Sequence, residues 1–209
     1  MKNYTKEQEG LTGVFKYDLK TKQLIKTYSP AAGKHAFNDI AINSAGELFV
    51  SDTGEKSIYR ISPGKDELQL FIAPGYLASP QGMAFSDDGT KFFIADYSRG
   101  IFVVDVKTKD HKLIDCAETV SMQGIDGLCF YKNSFIATQN GINPHRVIRY
   151  FLNNEFSVVK KAEVLEVNNP QFNEPTLGTV AGDAFYFIAN SQWGSFNKDG
   201  SIFPMEKLQ

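Results

Sequence analysis

Four residues with oxygen- or amide-bearing side chains, Asn38, Gln81, Asp126 and Thr176, recur 43, 45 and 50 residues apart. Each opens the same phrase: a polar residue, a short apolar run, a turn, a second apolar run and a polar close at Asp52, Asp96, Thr138 or Asn190. Carboxylate, amide and hydroxyl oxygens are hard donors of the kind Ca²⁺ collects, six to eight at a time and in loose geometry. A Ca²⁺ ion or another divalent metal held among them would polarise a substrate carbonyl and stabilise the oxyanion that develops. A carboxylate such as Asp126 would then activate the attacking water. The residues just after each second apolar run, among them Tyr97, Gln139, Asn190 and Trp193, would form the rim where a small-molecule substrate meets the protein.

Such chemistry needs the four phrases to converge. Apolar residues alternate or run in groups of four to six between Gly, Asp, Asn, Ser and Pro, which is strand patterning, and helix signals are nearly absent. Strand-rich units repeating every 40–50 residues are the signature of propeller blades. The sequence predicts an all-β propeller of four-stranded antiparallel blades in a single domain spanning 1–209. Blades fall at 36–73, 79–116 and 124–167. An outer half-blade precedes them at 11–30, and an inner half-blade at 174–192 and a tail at 193–209 follow. The first residue of each innermost strand then points at the mouth of the central channel, so Asn38, Gln81, Asp126 and Thr176 form a ring. Two outer strands at one end and two inner strands at the other admit two readings. One is a shared blade closing a four-bladed ring; the other is four to four and a half blades of an incomplete larger one. Open blade edges at both ends predict self-association.

Composition narrows the classes. The net charge of −2 comes without a basic cluster on one predicted face, which argues against nucleic acid as a partner. No run of about 18 apolar residues predicts a membrane span. Residues 1–10 are polar and charged and do not read as a secretory signal. Cys116 and Cys129 are isolated, with Cys129 a small core residue in an apolar strand. There is no Gly-x-Ser-x-Gly, phosphate loop or Cys-x-x-Cys, so serine hydrolase, nucleotide and zinc chemistry lack support.

The segments Phe37–Ile42 with Gly46–Asp52, Ser79–Gly89 with Phe93–Asp96, and Ile125–Leu128 resemble the SMP-30/gluconolactonase/LRE-like family, close to strictosidine-synthase-like and NHL-type propellers. The likeness spans roughly residues 11–195. It implies a six-bladed fold longer than this chain, with a first blade, half of a second and the end of a sixth missing here. It also implies a divalent metal, usually calcium, at the top of the channel, held by an early Glu, an Asn and an Asp, with another Asn on the substrate. By context Asp126 matches the Asp, which makes it both metal ligand and catalytic residue, and Asn38 matches the substrate Asn. Gln81 falls on the metal-binding Asn, because the chain reads Pro80-Gln81-Gly82 where the family reads Pro-Asn-Gly. The early Glu has no counterpart. The family thus implies a metal-dependent lactonase or esterase; a ligand- or protein-binding propeller and an inactive incomplete copy are the alternatives.

Each residue also has a plainer reading. Asn38-Asp39 and Asp126-Gly127 suit turn chemistry that starts a strand. Asp52 and Asp96 read as caps of their own loops rather than metal ligands. His145 and His35 read as loop histidines and His111 as a surface one. Tyr97 and Trp193 could equally fill gaps between blades.

Overall fold

The computed structural model describes residues 11–31, 33–197 and 201–204. Residues 1–10, 32, 198–200 and 205–209 of the expected domain and its tail lie outside the described residues. The chain is all-β. The described residues form three sheets of four or five strands, antiparallel but for one short parallel pair, with a two-stranded sheet before them and another after them.

The first pair is β1 (Val14–Tyr17) and β2 (Leu24–Tyr28). Four antiparallel strands follow in chain order: β3 (Phe37–Ile42), β4 (Leu48–Asp52), β5 (Ser57–Ile61) and β6 (Gln69–Ile72). The next sheet holds β7 (Pro80–Phe85), β8 (Lys91–Asp96), β9 (Gly100–Asp105) and β10 (His111–Leu113). The third sheet holds β12 (Ile125–Phe130), β13 (Ser134–Gln139), β14 (Arg146–Leu152) and β15 (Val158–Val167). It also takes β11 (Asp115–Cys116), which pairs with β15 in parallel. The last pair is β16 (Gly178–Ala181) and β17 (Ala184–Phe187).

The turns form where the sequence supplies them. Asn43 Oδ1 accepts from the amides of Ala45 and Glu47 at 3.1 and 3.0 Å, while Gly46 takes the left-handed φ of 77°. Asp88 and Gly89, with φ of 70° at the glycine, turn β7 into β8 in the same way.

Both faces of the middle sheets are covered, so their strands are apolar on both faces instead of alternating. Phe49, Phe71, Phe85 and Phe92 interlock between the first and second large sheets at centroid separations of 4.6–6.2 Å. Phe93, Phe130, Phe135 and Phe156 do the same between the second and third. Burying such aromatic rings supplies much of the driving force for stacking sheet on sheet. The innermost strands β3, β7, β12 and β16 lie side by side in that order and define one channel.

Two expectations change. The outer edge of the blade expected at 79–116 is split after Leu113, because Ile114 turns into the core with 1% exposure. Its amide still pairs with the Ile101 carbonyl at 2.8 Å, and Asp115–Cys116 passes to the neighbouring sheet. The shared blade also does not form within one chain: β1–β2 and β16–β17 are separate sheets. The two cysteines are free.

Candidate functional site

The side-by-side packing of the inner strands depends on the residue after each ring position. A Cβ on Gly82 would lie 2.5 Å from the Leu128 amide nitrogen and 2.6 Å from the Asp126 carbonyl. One on Gly127 would lie 2.6 Å from Thr138 Oγ1. Glycine at these places lets β7, β12 and β16 close up, which brings Gln81, Asp126 and Thr176 together. The first blade has Asp39 instead. Its carboxylate bridges to the next strand, accepting from the Met83 amide at 2.8 Å as well as from Ile40.

The ring residues form two hydrogen-bonded groups. Asn38 Nδ2 donates to Gln81 Oε1, and Gln81 Nε2 donates to Ser79 Oγ at 3.2 Å. Asp126 Oδ2 accepts from Thr176 Oγ1 and from Asn140 Nδ2, the latter at 3.0 Å. Tyr97 OH donates to Asn140 Oδ1 at 2.9 Å, which fixes which way that amide faces the carboxylate. A cavity of about 720 Å³ opens over this set, and Asn190 and Trp193 stand on its wall. Trp193 is 71% exposed and lines this cavity instead of filling a gap between sheets.

Gln139 is the ring-side expectation that ends up elsewhere. It is fully buried, donates to the carbonyls of Ser121 and Gln123 at 3.1 and 2.6 Å, and accepts from Arg146 Nε at 2.6 Å. All of its polar capacity serves the fold, and its neighbour Asn140 reaches the mouth in its place. Asp52 and Asp96 likewise turn inward, as loop caps. Asp52 Oδ1 accepts from the amides of Ala36, Gly54 and Glu55, and Asp96 Oδ2 from those of Ala78 and Ser79. His35 is a buried partner of that cap, with Nδ1 2.5 Å from Asp52 Oδ2 and Nε2 3.1 Å from the Ala31 carbonyl. It is not a solvated loop histidine. His111 lies against Tyr76 on the outer strands, and the backbone carbonyl of His145 pins the Asn168 amide.

Two carboxylates escaped the sequence reading. Glu174 lines the mouth together with Asp126, and its Oε2 is buried without a hydrogen-bond partner. Its backbone is left-handed at φ of 54°, an unfavourable state for a residue with a Cβ. Bonds from Asn173 to the Ala189 carbonyl and from Ser191 to the Asn173 carbonyl hold that loop in place. The signal in the sequence was a lone Glu two residues before a ring position. Asp39 is the other. Burial pushes its pKa up to about 6, against the pull of the two amides it accepts from, and the nearby Asp126 charge adds to the rise. Burial also raises the Tyr97 phenol, with the Asp126 and Glu174 charges adding to the effect. Asp126 and Glu174 therefore both lie within electrostatic reach of one tyrosine.

The donors suit a hard cation. They are oxygen-rich and free of thiol and imidazole, and a buried carboxylate oxygen without a partner is what a cation would satisfy. Among the described residues no group of three or more His, Cys, Asp or Glu side chains converges on a point. Amide and hydroxyl oxygens would have to supply the rest of the shell.

No protein-family model matches the sequence, and none of the curated proteins matches it. Solved structures do. The chain is similar to one in a nidogen/laminin complex, with TM-score 0.63 and 14% identity over 90% of this chain and 84% of that one. It is similar to regucalcin from Agrobacterium tumefaciens, a calcium-binding protein, with TM-score 0.59 and 18% identity over 81% of this chain and 58% of that one. A luciferin-regenerating enzyme matches with TM-score 0.62 and 16% identity over 93% and 69%. At these identities the likeness establishes the fold alone, a β-propeller. The chain spans little more than half the length of the regucalcin structure.

Proposed function

We propose that the channel mouth is a divalent-cation site, with Ca²⁺ the preferred ion, that hydrolyses a lactone or ester. The observation that carries this reading is that Asp126 and Glu174, whose buried Oε2 has no hydrogen-bond partner, line the same open mouth. Asp126, Glu174 and the amide oxygen of Gln81 would hold the ion. When bound, it would supply Lewis-acid polarisation of the carbonyl.

The chain's own residues do the rest. Thr176 and Asn140 orient the Asp126 carboxylate by donating to one of its oxygens. The other oxygen is left to take a proton from water. Asn38 and Asn190 offer amide groups to a substrate at the rim, and Trp193 offers an apolar wall. A calcium-binding protein of the same fold adds support by analogy.

Calorimetry with Ca²⁺ and Tb³⁺ luminescence sensitised through Tyr97 test the reading together with hydrolysis of a panel of lactones. One ion should bind per chain. Asp126→Asn and Glu174→Gln should each weaken binding roughly tenfold or more, about 1.4 kcal/mol, and a chelator should abolish turnover. A folded sample that binds no divalent ion would end this proposal.

A further inference from the structure

The two-stranded sheets at the ends of the chain are complementary halves of one blade. In the large sheets the strands run from the channel outwards in chain order, so β1–β2, placed just before inner strand β3, is an outer pair. β16–β17, whose first strand continues the row of inner strands, is an inner pair. Among the described residues neither β1 nor β17 has a partner on its second edge. Both strands are four residues long, Val14–Tyr17 and Ala184–Phe187, and in every large sheet the second and third strands are antiparallel.

The side chains match the strand count. Phe15 and Tyr17 on β1 are 57% and 56% exposed, and Tyr186 on β17 is 62% exposed. Ile25 on β2 and Ile188 beyond β17 are also more than half exposed. The hairpin of β1 and β2 carries Lys16, Lys20, Lys22 and Lys26 against one Asp18, while residues 174–190 carry Glu174 and Asp183 and no basic residue. One end is therefore basic, and the segment it would meet carries no basic side chain of its own to repel it. Open edges with exposed aromatic residues are templates for strand addition.

We propose that a second copy of this chain occupies both edges: β1 of each copy pairs with β17 of the other, making two four-stranded blades that neither copy builds alone. The contact is head-to-tail, and it closes after two copies if the blades of each turn the ring through half a circle. Three whole sheets and two halves per copy then give about eight blades, at the upper end of the usual range for closed propellers.

The test uses the 209-residue chain, of 23.3 kDa. Light scattering after size exclusion, with sedimentation equilibrium, should give twice that mass. Phe15→Pro, which removes an N–H on the open edge (the Asp18 amide faces β2 through the Gln23 carbonyl, so its odd-numbered neighbours in β1 face away), should halve the mass while leaving the strand signal in circular dichroism. Should that variant misfold, Phe15→Cys and Tyr186→Cys, opposite one another when the two four-residue strands overlap in full, are made in separate samples and mixed to give the answer instead. Mass spectrometry should find the 15–186 disulfide linking two chains, in excess over 15–15 and 186–186 links. A monomer across the micromolar range, a mass that grows without limit, or random cross-links would each overturn the proposal.

Discussion

Two sets of carboxylates sit near the channel mouth and differ in who satisfies them. Asp52 and Asp96 have no exposed surface, and their oxygens are taken up by backbone amides of the loops they cap, together with the side chains of His35 and Arg99. Asp126 and Glu174 face a cavity; the first is held only by the side chains of Thr176 and Asn140, and the second keeps a buried oxygen without a partner. A carboxylate bound by amides from three residues has no capacity left for a ligand, because each amide would be orphaned if it moved. One held by side chains can trade those partners for an ion at little cost. The phrase that recurs along the chain thus places structure at its end and chemistry at its start.

The comparison is open to breakage. Asp52→Ala should cause the largest loss of stability, about 3–5 kcal/mol, since it strands His35 and the amides of Ala36, Gly54 and Glu55. Urea denaturation would show this, and cation binding by the folded fraction should persist. Gln139→Ala should cost about 2 kcal/mol by the same assay, through Arg146 and the two carbonyls it serves, again without touching the mouth.

Asp39 gives a pH signature. Its folded pKa of about 6 lies above that of an ordinary carboxyl, so the native state binds its proton more tightly than the unfolded state does. Its contribution is favourable at low pH and is lost as pH rises from about 4 to about 6. Melting temperatures compared between pH 5 and pH 7.5 should fall for the native chain and fall less for Asp39→Asn. Asp126→Asn should be the mildest for the fold, about 1 kcal/mol or less by denaturation, yet among the most damaging for cation affinity. If it unfolds the chain as Asp52→Ala does, the division between structural and chemical carboxylates is wrong.

Much of the strand order was legible because period and turn chemistry are local. Asn43, Gly46, Asp88 and Gly89 announce their hairpins within a few residues. The ring was legible because a repeat turns sequence position into spatial position. What escaped depends on contacts between distant segments. Glu174 belongs to a loop whose place is set by Asn173 pairing with Ala189 and Ser191, which no local pattern records. Gln139 and Asn140 are neighbours of similar chemistry, and only the presence of Arg146 and the Ser121 and Gln123 carbonyls decides which turns inward. His35 looked solvated because its partner, Asp52, is 17 residues away. The split at Ile114 follows from one apolar side chain choosing the core over the edge.

That split bears on how the molecule comes apart. Asp115–Cys116 is covalently part of the strand run of the second large sheet and hydrogen-bonded to the outermost long strand of the third. Neither sheet can open without tugging on the other, so the two should exchange their amide hydrogens as a single slow unit. The end pairs lack such a strap and should exchange first, which makes the hairpin around Lys20–Lys22 the site where a protease would nick the chain earliest.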